Sequence, residues 1–282
     1  HEPSPPVGVF GLWGASADHV WAVGEDGRSW HFAGSSWQEV TTPVTQTLRA
    51  VWGTGPDELW AVGDEGAITQ HAVGTGWTEV TSPVTVTLRA LWGSSATDIW
   101  AAGDDGVVLR NNGGGWTEEP RMDPSHDVHA VWGVGPGEQW AAGYWGTIWH
   151  RTGGTWETEV DYLGEFLSPG FTIHEVWGTS HDDVWVVGND GYAWHFNGEL
   201  WAERRNLTSS HLHAVWGSSA NDIWAVGSDG IAMHSDGITW FSEWGHSPIA
   251  TDQFHAIWGS ARDDIWIGGR NDGGHGLLWR FH

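Results

Sequence analysis

Histidine is the residue type whose spacing here most invites chemistry: 17 are present, and eight of them fall into two sets. His31, His150, His195 and His234 each lie eighteen residues after the Trp of a Trp-Gly dipeptide, whereas His129, His174, His213 and His255 each lie three before one. Arg49 and Arg89 take the second place in two further segments. Imidazoles completed by guanidinium groups around a common axis could hold an anion, or, as neutral rings, a metal ion. The plainer reading of all eight is hydrogen bonding within a repeated framework, because a residue recurring at one place in most repeats is architecture first.

The carboxylates divide in the same way. Asp26, Glu65, Asp105, Asp190 and Asp229 each precede a Gly. They could ring one face and draw cations, but hairpin turns demand the same residues and no segment has the ligand density of a calcium loop. Asp98, Asp183, Asp222 and Asp264, shortly before a second Trp, read as turn residues of the opposite face. No phosphate loop, HExxH motif or Ser-His-Asp spacing occurs, and without Cys there is no thiol nucleophile, thiolate zinc site or disulfide. No enzymatic activity and no cofactor are expected.

The elements that must position these groups follow from a repeat. Trp-Gly recurs with Trp at 13, 52, 92, 132, 177, 216 and 258, and a second Trp follows eight residues later each time. A Gly stands at plus eleven in all seven units, and a third Trp (Trp37, Trp77, Trp116, Trp156, Trp201, Trp240) closes six of them. Within a unit, short β-branched and aromatic runs alternate with Asp-Gly or Asn-Gly turns, which reads as four antiparallel strands. Seven such units predict an all-β, single-domain, seven-bladed β-propeller over 1–282, with blades starting near 10, 49, 89, 129, 174, 213 and 255. Framework Trp of this number supplies a core without covalent staples. The seventh unit stops after its third strand, so a three-stranded blade, or one closed irregularly by residues 1–9, is expected.

The unit AVWGSSANDIWAVGSDGIAMHSDGITW resembles the Trp-rich propeller repeats of large secreted proteins in myxobacteria and related bacteria, over residues 10–282. It is similar, more distantly, to BNR-type propellers, since Ser235–Trp240 (SDGITW) looks like a shortened Asp-box. That resemblance implies the propeller fold and a surface or secreted setting, and it names no activity; the Arg and Tyr constellation of a sialidase is not visible.

Function is expected where the repeat breaks. Trp145 replaces a turn carboxylate beside Tyr144, and Trp244 lies in the connection from the sixth to the seventh unit. The connection after the fourth unit is lengthened and carries Tyr162; that after the sixth carries Asp252; the seventh adds Arg270, Asn271 and Asp272 in its turn. All these loops belong on one face of a propeller. Exposed aromatics beside polar groups suit a sugar, so a carbohydrate-binding, lectin-like module with Tyr144, Trp145, Tyr162, Trp244, Asp252, Arg270, Asn271 and Asp272 as contacts is the main expectation. The alternatives are a protein-interaction or structural scaffold without a small-molecule ligand, and a metal-binding propeller using His126, His211, His246 and His275.

All 11 basic residues are Arg, against 36 Asp and Glu, for a formal charge of −25. Such a chain is not a nucleic-acid binder, and no apolar run is long enough to insert in a membrane as a helix. Its acidity and its start at His1 suit a processed, secreted or cell-surface protein whose partner is a glycan or another surface. Asn206-Leu207-Thr208 is a glycosylation sequon.

Overall fold

The computed structural model describes residues 5–160, 171–204, 208–243 and 251–281. Among the described residues seven antiparallel sheets form a closed ring, six with four strands and the seventh with three. Blade one shows the plan: Val9–Ser16 lines the axis, His19–Gly24 and Ser29–Ala33 follow outward, and Trp37–Val40 is the outer edge. The first strand of each blade packs on those of both neighbours, and the first strand of blade seven, Gln253–Ala261, packs on Val9–Ser16. The seven-bladed fold is as the sequence predicts.

Each Trp of the repeat has a separate task. The first Trp lays the edge of its six-membered ring on the Trp-Gly glycine of the next blade: a Cβ at Gly93, Gly133 or Gly259 would meet Trp52, Trp92 or Trp216 at 2.5–2.7 Å. Gly14 lies in the same way under Trp258, which closes the ring. The third Trp packs edge-on against the second Trp of the preceding blade, as in Trp77 on Trp21 (5.8 Å between ring centroids, 88°) and Trp37 on Trp266 (5.2 Å, 88°). Blade seven has no third Trp, and Phe281 lies beside Trp224 at 5.5 Å in a tilted arrangement. Aromatic interlock thus runs between blades, while hydrogen bonds hold each blade together.

Closure follows one of the two expected routes. Among the described residues blade seven has only Gln253–Ala261, Asp264–Arg270 and Gly276–Phe281. Residues 5–8 take the place of an interblade connection: the Gly276 amide donates to the Pro5 carbonyl (3.0 Å) and the Glu25 amide to the Gly8 carbonyl (3.1 Å). The three Pro before Val7 suit a connection rather than a ladder, which needs their missing N–H groups.

The first histidine set is structural. His31, His150, His195 and His234 stack on the second Trp of their own blade at 3.7–4.5 Å, and Arg110 and Arg280 take the same place over Trp100 and Trp266 at 4.8 and 4.9 Å. Beneath them lie the carboxylates expected to be simple turn residues, and that expectation is corrected. Asp98, Asp222 and Asp264 are buried at the start of the second strand and bind inward rather than cap a turn. Asp98 accepts from Ser94 Oγ (2.7 Å) and Arg110 Nη2 (2.8 Å). Asp183 accepts from Thr179 and from His195 Nε2 (2.7 Å), and Asp222 from Ser218 and from His234 Nε2 (2.7 Å). Hydroxyl and imidazole both donate to one carboxylate, unlike a Ser-His-Asp triad, in which the imidazole accepts from the hydroxyl.

The turns between second and third strands obey hairpin chemistry. Asp26, Glu65, Asp105, Asp190 and Asp229 all have φ of 55–59°, each followed by a Gly of positive φ. In the shortened Asp-box, Asp236 accepts from the amides of Ile238 (3.0 Å) and Thr239 (2.8 Å), which holds its carboxyl below the usual range and makes it a turn former.

Candidate functional site

The second histidine set has a different position. In every blade the first two strands change register just before the first Trp, so that one residue of the first strand has no partner opposite it. That residue is Phe10, Arg49, Arg89, His129, His174, His213 or His255. Such a β-bulge re-aims a side chain, and here it turns seven side chains to the channel. The plus-eleven glycine opposite makes the bulge possible: at Gly24, Gly63, Gly103, Gly143, Gly188, Gly227 and Gly269 a Cβ would overlap the carbonyl oxygen of the residue preceding or opening the first strand.

The seven side chains form a ring around the channel mouth, lining a space of about 140 Å³ that continues into one of about 200 Å³. His174 lies 5.8 Å from His129 and 5.1 Å from His213, His213 lies 5.4 Å from His255, and His255 lies 4.8 Å from Phe10, over which the Arg49 guanidinium sits at 5.7 Å. Turns on the same face support the ring from behind. Arg49 pairs with Asp64 and Arg89 with Asp104, while His174 Nε2 is 2.7 Å from Asn189 Oδ1 and His213 Nε2 is 2.9 Å from Ser228 Oγ. His129 and His255 make no hydrogen bond among the described residues.

One layer deeper, the channel is lined by Gly11, Ala50, Ala90, Ala214 and Ala256, with Glu175 at the same place in blade five. Burial raises the Glu175 carboxyl to about 8, against which the Val176 amide (3.1 Å) acts only weakly. Burial also lowers the imidazoles, helped by the neighbouring cations and imidazoles: His129 and His213 fall to about 3 and His255 to about 4, and His174 is lowered too. At neutral pH the lumen therefore holds two guanidinium ions, four neutral imidazoles and a protonated carboxyl.

Of the contacts expected from the loops, Tyr144 and Trp145 come together. Their rings meet edge to face at 5.4 Å, both half-buried in the turn of blade four. Trp145 holds a φ of 61°, the left-handed conformation that its sister turns give to Asp or Glu. A bulky aromatic there is strained, and such strain clusters at functional sites. Trp145→Asn is expected to raise stability by up to about 1 kcal/mol, read from chemical denaturation.

Arg270, Asn271 and Asp272 lie on blade seven, across the ring from blade four. Asn271 Oδ1 caps its own turn by accepting from the amides of Gly273 (2.9 Å) and His275 (3.1 Å), and Arg270 faces Glu25 at 3.4 Å. Asp252 is buried, and its carbonyl accepts from the Gly230 amide (2.8 Å). Tyr162, Trp244, His246 and most of the sequon lie outside the described residues. His126 packs against Asp123 and Ser125, His211 accepts from the Asp190 amide (3.0 Å), and His275 is exposed in blade seven. These come from separate blades, and no group of three His, Asp or Glu among the described residues could hold a metal ion.

A groove of about 500 Å³ between blades three and four is the larger cavity, lined by Arg121, Asp123, His126, Trp149 and Trp156 among others. Sequence reasoning weighed the imidazole and Arg ring but missed Glu175 and Phe10. Both were signalled by the repeat: Glu175 stands where the six sister units have Gly or Ala, and Phe10 where they have Arg or His.

The geometry defines a seven-bladed β-propeller with a polar channel mouth. No protein-family model and no curated protein matches the chain. Among solved structures it is similar to YCF48 bound to D1 peptide, with 18% identity and a TM-score of 0.77 over 99% of this chain and 94% of that one. It is also similar to YCF48 from Cyanidioschyzon merolae (15%, TM-score 0.76, 99% and 96% covered) and to the WD40 β-propeller domain of Doa1 (12%, TM-score 0.78, 98% and 94% covered). At these identities the likeness establishes the fold alone. No helix among the described residues is long and apolar enough to cross a membrane.

Proposed function

We propose that this protein is a non-enzymatic binding module that engages a protein partner end-on at the channel mouth. The observation that carries the reading is the bulge ring: all seven blades spend a register shift on aiming one side chain at the axis, and those side chains gather cations and imidazoles in a strongly acidic protein. Strand pairing alone does not require this, because the bulge position holds Phe, Arg or His in different blades with the same register shift. A propeller of the same architecture, YCF48, has been seen bound to a peptide, which agrees with a protein ligand.

Carbohydrate binding is the second reading, favoured by one feature, the groove in which Trp149 and Trp156 lie beside Asp123 and His126. Secretion or surface display, which suits either ligand, remains a proposal resting on charge and on the repeat resemblance. A random-peptide display library and a glycan array, screened in parallel with the intact protein, separate the two readings. Selected peptides with a blank array support the first; selective glycan binding without peptide enrichment would replace it by the second.

A further inference from the structure

We propose that the ring at the channel mouth is a carboxylate-binding site, the anion sitting among Arg49, Arg89 and the four imidazoles above the carboxyl of Glu175. This deepens the protein-binding reading and rests on it only for the source of the carboxylate, a chain terminus or an acidic side chain.

No three His, Asp or Glu side chains among the described residues converge to hold a metal ion. An ion on the axis of the ring, whose neighbours are 5.1–5.8 Å apart, would lie about 6 Å from the imidazole centres, about twice the distance that a bond of ~2.1 Å allows. An oxyanion, whose oxygens extend outward from its centre, bridges that gap as a bare cation does not. Donors are available for it. Asp104 engages Arg89 through Nε, and Asp64 engages Arg49 through Nε and Nη2, which leaves both terminal nitrogens of Arg89 and Nη1 of Arg49 for a ligand. His129 and His255 have ring nitrogens to spare, and Nε2 of His255 is buried without a partner among the described residues. The space of 140–200 Å³ admits a chain end or one side chain, not a folded loop.

Charge selects the class of anion. Asp64 and Asp104 already balance the two guanidinium ions, so the ring offers an incoming ligand hydrogen bonds and little surplus charge, which suits one negative charge better than two. A protonated Glu175 can donate to the ligand; an ionised one would repel it. Facing the ring are also Asp127 beside His129, His211 beside His213, and Arg270 near His255. Affinity should therefore hold up to about pH 8 and then fall by up to tenfold per pH unit as Glu175 ionises. The imidazoles, held neutral by burial and by neighbouring cations, gain protons more readily once the anion is present.

The test is a titration of the imidazole NMR signals of the intact protein with acetylglycinate, which mimics a chain terminus, N-acetylaspartic amide, which mimics an acidic side chain, acetylglycinamide and inorganic phosphate. The expected result is that one or both carboxylates move the signals of His129, His213 and His255 and raise their pKa by a unit or more. Acetylglycinamide should leave them in place, and Glu175→Gln should remove the loss of affinity above pH 8. No response to either carboxylate, an equal response to the amide, or a response to phosphate alone overturns the proposal. Library peptides that bind equally well after amidation and without acidic side chains would overturn it while leaving the protein-binding reading intact.

Discussion

Gly227→Ala is expected to cost the fold about 3 kcal/mol or more, measured by urea denaturation, although it adds a single methyl group to a β-strand. The backbone of Gly227 is extended, a conformation any residue adopts, so the penalty comes from space alone. Its Cβ would overlap the carbonyl oxygen of His211 and press on Leu212, both backbone positions that hold the bulge of blade six. Overpacking a rigid site typically costs 1–3 kcal/mol, and here the obstruction is main chain, which cannot rotate away. Opening the bulge would also turn His213 from the channel, so ligand binding should fall along with stability. Gly135→Ala is the control, since a methyl group there meets nothing within 4 Å and should change stability by no more than about 0.5 kcal/mol. Equal effects at the two positions would contradict this account of the repeat glycines.

Glu175→Gln is the second large effect and has the opposite sign. Folding raises this carboxyl from 4.5 to about 8, so between those values the folded state holds a proton that the unfolded chain has released. Stability contributed by such a group is complete below about 4.5 and declines as pH rises toward 8. At 1.36 kcal/mol per pH unit the loss at pH 7 is at most about 3 kcal/mol, less to the extent that channel water reaches the carboxyl. The glutamine variant should melt higher than the parent at pH 7 and no differently at pH 4.

The imidazoles impose the reverse slope. With pKa values lowered from 6.5 to about 3 or 4, His129, His213 and His255 favour the folded state above pH 6.5, and that stability disappears as pH falls toward 3. The parent protein should therefore be most stable just above pH 6.5, and Glu175→Gln should extend that stability to higher pH. Thermal melts across pH 4–9 read both slopes, and a flat profile would mean that the lumen is better solvated than its burial implies.

Why the fold was so legible in the sequence can be seen at Trp-Gly. The indole of one blade and the glycine of the next form one contact repeated around the ring, so geometry imposes on the sequence a period that no single blade could show. The half-hidden features are those in which one residue answers to two neighbours. Asp183 and Asp222 precede a Trp and look like turn formers, but their partners stand four residues before and twelve after, across two strands. The bulge is similar: seven residues at one repeat position resemble framework until the register shows that they have no partner residue opposite in the second strand. Loop residues were the hardest to combine. Trp145 and Asp272 both break the repeat on one face, but blade order sets them across the disc from each other, and spacing along the chain does not record that separation.

Binding of one library-selected peptide to three proteins, the parent, an Arg89→Gln/His213→Asn channel variant and a Trp145→Ala loop variant, tests the central claim most directly. Each is first shown by its melting transition to be folded. The channel mouth as the binding site predicts at least a tenfold loss of affinity, about 1.4 kcal/mol, in the channel variant and little change in the loop variant. Full affinity in the channel variant, with loss confined to Trp145→Ala, would contradict that claim and move the site to the lengthened loops.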